Sequence, residues 1–314
     1  MLTSPKKEGE NKEATGEKNP ASSPAISLPK GGGAIRDIGE KFSINPVTGT
    51  SSLSVPLATS SSRADFSPKL SLSYDSGGGN GLFGIGWNLS IPSITRKTEK
   101  GLPKYQDGEE SDIFLLSGAE DLVPSLKLDG NVWTNDIPKN IPDSAEYIVQ
   151  RYRPRIEGLF ARIERWTHKK TGEIYWKSIS KDNITTIYGR SPDCRIYDLS
   201  DPDDKTRIFS WLIEESYDAK GNVIVYRYKQ ENGDNIDPSL AQEKNRIGKD
   251  TTYANRYLKC IKYGNQEPNQ RKDWLFEVVF DYGEHNLDKP GVKKDQQWLC
   301  RSDAFSSYRA GFEV

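Results

Sequence analysis

The sequence predicts an all-β protein built from extended antiparallel hairpins. Apolar residues recur with period two, turn residues sit between the runs at hairpin spacing, and helical signal is thin. Leu70, Leu72 and Tyr74 alternate with Ser71, Ser73 and Asp75, as in a half-buried strand. Trp274, Phe276, Val278, Phe280 and Tyr282 share one face of a later run, with Glu277 and Asp281 on the other. Tyr257, Ile261 and Tyr263 alternate with Arg256 and Lys262. Between Val223 and Tyr228 both faces are apolar, which predicts a strand covered on two sides.

The turns follow the same logic. Asp129-Gly130-Asn131, Thr171-Gly172 and Lys220-Gly221-Asn222 each separate two apolar runs. Gly or Asn there supplies the positive φ that tight hairpins require. One helix is predicted, over residues 239–247, with Asp237 as N-cap, Pro238 at the first position and Gly248 beyond the end. Two glycine runs resemble nucleotide loops only superficially. Gly31-Gly32-Gly33 lacks the Gly-Lys-Ser/Thr ending of a phosphate loop. The glycines between Gly77 and Gly86 lead into Trp87 and then Pro92, which excludes the helix a dinucleotide fingerprint needs. They instead let backbone segments pass closely. Trp87 is expected to be buried by that loop, with Phe83 beside it.

Composition bounds the rest. Residues 1–25 are polar and nearly free of apolar side chains, which predicts a disordered leader ahead of a folded domain over 26–314. The 7 Trp, 15 Tyr and 10 Phe argue that the remainder folds. No run approaches the about 20 apolar residues of a membrane-spanning helix. The 44 Lys and Arg against 45 Asp and Glu give a net charge of -1, which speaks against nucleic acid as the partner. The start lacks the apolar region of a signal peptide, so folding in the producing cytoplasm and secretion by a non-Sec route are expected.

Residues that commonly carry chemistry are scarce. His168 and His285 lie far apart, and Cys194, Cys260 and Cys300 form no paired motif, so free thiols are expected. Asp198, Asp201, Asp203 and Asp204 lack the central Gly and closing Glu of a calcium loop, and Pro202 marks a turn, so a solvated loop is expected. Glu214 and Glu215 are adjacent on a strand and point to opposite faces, so they form no acid/base dyad. Ser76 lacks a nucleophile elbow. The expectation is no catalytic, cofactor-binding or metal-ligating residues, and no small-molecule substrate.

Tyr217-Asp218-Ala219-Lys220-Gly221-Asn222-Val223 resembles one YD/RHS repeat unit, without a regular array around it. Longer stretches carry a wider resemblance: residues 26–42, 49–56, 70–87, 256–265, 280–284 and 305–314. They include Gly31-Gly32-Gly33-Ala34-Ile35-Arg36-Asp37-Ile38-Gly39 and Gly77-Gly78-Gly79-Asn80-Gly81-Leu82-Phe83-Gly84-Ile85-Gly86-Trp87. Together they look like the N-terminal region shared by SpvB, the Salmonella virulence plasmid B protein, and the TcB component of insecticidal toxin complexes. The resemblance implies an RHS/YD-like β-shell segment, cut short at its C-terminal end. It implies a TcC-like RHS partner, whose toxic segment the shell holds, and a TcA-like translocation component. It assigns no catalytic residue to this region. The function expected is therefore a non-catalytic structural module of a toxin complex. The alternative is the N-terminal region of an actin-directed mono-ADP-ribosyltransferase whose catalytic domain lies outside this chain. The Arg, Ser-Thr-Ser strand and Glu-x-Glu loop of such a site are not assembled here.

Overall fold

The structure, a computed structural model, describes residues 41–44, 49–118, 120–138, 145–201, 203–234, 236–244, 246, 253–283, 285 and 301–314. The predicted leader and Gly31-Gly32-Gly33 lie outside them. Regular structure is almost all β, as the period-two pattern predicts, and falls into two compact units.

The first unit comprises the described parts of Met1–Pro56 and Ser71–Leu89. Its sheet runs in the order β1 (Lys41–Ile44), β2 (Ser51–Leu57), β3 (Leu70–Asp75), β6 (Trp87–Leu89). A two-residue hairpin, β4 (Asn80–Gly81) with β5 (Gly84–Ile85), precedes β6. The glycines do permit close approach. A Cβ on Gly86, at φ +79, would lie 2.6 Å from the Asp75 carbonyl oxygen, and one on Gly81 2.5 Å from that of Trp87. Trp87 departs from expectation: it is only half-buried, and its ring partner is Tyr74 at 5.2 Å. Phe83 falls in the turn of the β4–β5 hairpin and is 40% exposed, because a tight turn directs its side chain away from the sheet.

The second unit, Leu57–Leu70 with Ser90–Val314, carries the main core. Its strands are β7 (Ser93–Arg96), β8 (Phe114–Leu116), β9 (Glu120–Pro124), β10 (Leu126–Asp129), β11 (Val132–Asn135), β12 (Tyr147–Pro154) and β13 (Arg162–His168). There follow β14 (Ile174–Ile179), β15 (Thr185–Tyr188), β16 (Arg195–Tyr197), β17 (Ile208–Tyr217), β18 (Val223–Gln230), β19 (Arg256–Asn265) and β20 (Trp274–Val279). Eight of them close into an antiparallel ring, β7-β8-β9-β12-β13-β14-β15-β17. The long β17 makes the closure, with Ile213 opposite Tyr188 on one edge and Trp211 opposite Ile94 on the other. β18, β19 and β20 extend the sheet from the C-terminal half of β17, and β10 with β11 forms a separate hairpin.

A ring of eight strands encloses just enough space for side chains to fill. Phe114 of β8 packs edge-on to Trp176 of β14 at 4.9 Å, Trp211 of β17 at 5.7 Å and Tyr152 of β12 at 6.0 Å. Both tryptophans are fully buried, and Trp211 Nε1 donates to the Ile174 carbonyl at 2.7 Å. Gly189, at φ +60, lies against Trp211; a Cβ there would fall 2.5 Å from the indole.

The predicted turns fall where expected, with positive φ at Gly130, Gly172 and Gly221. Val223 to Tyr226 are buried on both faces, but the two-sided burial predicted as far as Tyr228 stops there, with Arg227 exposed and Tyr228 only partly covered; β20 alternates half-buried with exposed residues. β19 differs from its predicted alternation. A bulge at Lys259 lets Arg227 oppose Cys260 while Tyr228 opposes Leu258. Tyr257 therefore shares a face with Cys260 and Lys262, and buried Arg256 shares the Ile261 and Tyr263 face. The predicted helix is replaced, in its described part, by successive turns. Asp237 caps as expected, accepting from Ser239 N at 2.9 Å, but the bonds that follow are mainly three-residue ones. Arg246 turns to Glu231 and Glu243 instead, and the segment has no apolar stripe to pack a helix. Gly248 lies outside the described residues.

Candidate functional site

The most developed polar cluster lies at the mouth of the ring, where residues 97–113 connect β7 to β8. Period two places Arg96 on the same inward face as Ile94, and only 1% of it is exposed. A buried charge must be paired, and the loop supplies the partners. Arg96 Nη1 donates to Asp107 Oδ1 at 2.6 Å and Asp112 Oδ2 at 2.7 Å, and Nη2 donates to Asp107 Oδ2 at 2.7 Å. Its Nε donates to the Ile208 carbonyl at 2.7 Å. The rings of Tyr105, Phe114 and Trp211 surround the guanidinium at 4.7, 5.2 and 5.3 Å. Asp112 also fixes its own loop, accepting from the backbone N–H of Lys104 at 2.8 Å and Tyr105 at 3.0 Å.

The far end of the loop engages β12 and β13. Arg165 Nη2 donates to Glu110 Oε1 at 2.9 Å, Gln150 Oε1 at 2.9 Å and the Asp107 carbonyl at 3.3 Å. The Tyr152 hydroxyl donates to Glu110 Oε2 at 2.5 Å. Arg165 Nε and Nη1 have no hydrogen-bond partner, but the guanidinium lies 5.3 Å from the Tyr152 ring and 5.9 Å from that of Phe114. Burial pushes the phenols of Tyr105 and Tyr152 up, so both remain neutral donors at ordinary pH. In the ring order β7 and β13 stand four places apart, on opposite walls. A loop bonded to both crosses the mouth. Its carboxylates Asp107, Glu110 and Asp112 are each bonded to an arginine, which suits a fastening rather than acid/base or nucleophilic chemistry. The cavity beside it, about 380 Å³ and lined in part by Arg96, Glu99, Phe209 and Ala310, brings no reactive pair together.

The residues singled out by sequence stay apart. His168 Nδ1 lies 3.1 Å from the Thr171 N–H in its hairpin, and His285 pairs with Lys259 at 2.8 Å. Cys194 and Cys260 are free and buried. Burial, then the Glu214 charge, pushes the Cys194 thiol up to about 12; burial, then Glu277, pushes Cys260 up to about 11. Neither is an activated nucleophile. Cys300 lies outside the described residues. Asp201 and Asp204 cap successive turns, as a solvated loop would have it, but Asp198 is buried and paired with Arg207 at 2.7 Å. Among the described residues no three His, Cys, Asp or Glu gather as a metal site. Glu214 accepts from Ser191 N at 2.8 Å and Glu215 pairs with Arg271 at 2.5 Å. The predicted opposite faces do not hold: Ile187 opposes Glu215 while Tyr188 opposes Ile213, so Glu214 is the extra residue of a bulge, and both carboxylates reach Arg190, at 3.9 and 4.0 Å. Ser76 Oγ accepts from the Ser51 N–H at 2.9 Å.

The Tyr-Asp turn is a structural device. Asp218 Oδ1 accepts from the N–H groups of Lys220 and Asn222, each at 2.9 Å, and Oδ2 from Asn222 Nδ2 at 2.7 Å. Burial alone would raise its pKa, but these bonds prevail and hold the carboxyl below its usual range. A Cβ on Gly221 would meet Pro268 at 2.8 Å. Sequence reasoning missed the Arg96–Asp107–Asp112 and Arg165–Glu110 groups. Two signals were present: an Arg at an inward position of a period-two run, and a following loop rich in Asp and Glu.

The family described as Salmonella virulence plasmid 65kDa B protein matches residues 45–314. The chain is 37% identical over 309 residues to the mono(ADP-ribosyl)transferase SpvB of Salmonella choleraesuis (strain SC-B67), covering 92% of this chain and 48% of that protein. It thus spans about half the length of that relative. Among solved structures, the N-terminal domain of effector protein SpvB from Salmonella typhimurium strain LT2 is similar at a TM-score of 0.67 and 34% identity, covering 83% of this chain and 84% of that one. The crystal structure of TcdB2-TccC3 is similar at a TM-score of 0.72 and 35% identity, covering 93% of this chain and 14% of that one.

Proposed function

This chain belongs to the SpvB family, and on that premise we propose that it is a non-catalytic structural module of a bacterial toxin complex, a TcB-like part of a β-shell that encloses and helps deliver a toxic polypeptide. The observation that carries this reading is the similarity to TcdB2-TccC3 across 93% of the chain. The ring agrees with it: its interior is packed with aromatic side chains, and its buried charges are spent on holding a loop. Residues 26–314 form the working domain, with 1–25 as a dispensable leader. The partners are a TcC-like RHS protein and a TcA-like translocation component, met after cytoplasmic folding and export by a non-Sec route.

A second reading is favoured by the similarity to the mono(ADP-ribosyl)transferase SpvB. There the chain is the N-terminal region of an actin-directed transferase, and the catalytic domain lies outside it. The readings differ in partner. Coexpression of the full-length protein with a TcC-like protein, followed by size exclusion and limited proteolysis, separates them. The shell reading predicts co-elution and survival of the partner's C-terminal segment. Digestion of that segment as fast with the protein as without it rejects enclosure and leaves the second reading.

A further inference from the structure

Residues 306–314 fold back on themselves: Ser307 N donates to the Val314 carbonyl at 2.8 Å, and Val314 N to that of Ser307 at 2.9 Å. Gly311, at φ +81, makes the intervening turn. The segment buries Ala310 and Phe312 in a small apolar cluster with Ala254, against which Tyr105, Ile196 and Phe209 pack. Tyr105 belongs to the crossing loop, and it is the residue that joins the two elements. Its hydroxyl donates to the Ala310 carbonyl at 2.5 Å while its ring lies 4.7 Å from the Arg96 guanidinium. Arg207 covers the same ring at 5.4 Å and is itself held by Asp198 at 2.7 Å. Tyr105 adopts φ +58, a left-handed conformation unfavourable for a bulky side chain. Such a conformation persists only where the surroundings fix it, and here they do so from both sides.

We propose that residues 306–314 are a strap that keeps the crossing loop latched over the ring mouth, so that displacing the strap releases the loop, with Tyr105 as the coupling residue. The ion pairs of Arg96 and Arg165 hold the loop's carboxylates to the two walls. The strap holds the aromatic lid above Arg96. With the strap displaced, Tyr105 loses its hydroxyl acceptor and its apolar neighbours in the strap together, and its left-handed backbone is then held only by the Asp112 bond to its amide and by the Arg96 and Arg207 guanidinium groups against its ring. Asp112 bonds Arg96 and the Lys104 and Tyr105 amides at once, so loosening at Tyr105 passes directly to those amides.

Amide hydrogen exchange on the full chain tests the proposal, because the Lys104 and Tyr105 amides are closed by Asp112 and report the latch. Phe312→Ala should speed their exchange by about ten-fold while the Asp218–Asn222 turn keeps its wild-type rates. Coupling between two elements is reciprocal, so Asp112→Asn should in turn speed exchange at the Ser307 and Val314 amides. Should Phe312→Ala fail to fold, Tyr105→Phe removes only the bond to Ala310 and should still raise the Lys104 rate. Faster exchange in the strap with wild-type rates at Lys104 and Tyr105 would overturn the coupling. Unchanged loop rates in Tyr105→Phe would do the same.

Discussion

The ring of the second unit and the four-stranded sheet of the first share one grammar of alternating strands and glycine turns, yet they use it differently. Trp176 and Trp211 are sealed inside the ring. No residue of β2 is fully buried, and its strand is tied to its neighbours partly by serine hydroxyls, Ser43 to Ser52 at 2.6 Å and Ser54 to Ser71 at 2.7 Å. Closure is what separates the two. An alternating strand in an open sheet half-buries one face. The same pattern wrapped into a ring puts that face beside the opposite wall, where aromatic rings meet from four strands and even arginine must be enclosed.

The comparison breaks if the two regions respond alike to truncation. Trp176→Ala removes a ring that touches Phe114, Tyr152 and Trp211, and should destabilise by about 3–5 kcal/mol in denaturant unfolding. Arg96→Met leaves Asp107 and Asp112 facing one another without their cation, so a loss of about 3–5 kcal/mol is expected, with unfolding midpoint as the readout. Trp87→Ala, at a half-buried site with Tyr74 as ring partner, should cost only about 1–2 kcal/mol. Equal losses for Trp87→Ala and Trp176→Ala would erase the distinction.

Asp218 sharpens the same contrast from a turn. Its folded pKa lies below the ordinary 3.8, so its contribution is present above that pH and disappears as pH falls through the folded value. Asp218→Asn should therefore cost on the order of 1 kcal/mol at neutral pH. The difference from wild type should shrink in urea titrations run progressively below pH 4. A gap that widened on acidification would show that the carboxylate is not the stabilising form.

Local features were legible before the structure. Gly130, Gly172 and Gly221 announced their hairpins because a positive φ leaves a residue-level mark, and the two-sided burial of Val223 to Tyr226 followed from its unbroken apolar run. Ring closure was not legible. It joins Thr95 to Ser210, and no local pattern encodes a pairing so distant in sequence. The bulge at Lys259 was hidden for the opposite reason, since one extra residue reverses every face beyond it without altering composition. Trp87 misled because a large aromatic beside glycines looks the same whether its sheet is open or closed. The arginine clusters escaped because Asp107 and Asp112 become partners of Arg96 only once the loop folds back over it, and Glu110 of Arg165 only once the loop reaches the far wall.

On the shell reading proposed above, this chain serves as a scaffold and turns over no substrate. Nicotinamide release from NAD⁺, followed over time with the purified chain beside a relative that carries the transferase domain, tests it most directly. The expected result is release at the rate of buffer alone while the relative is active. Sustained release above buffer, rising in proportion to the concentration of this chain, would contradict the account.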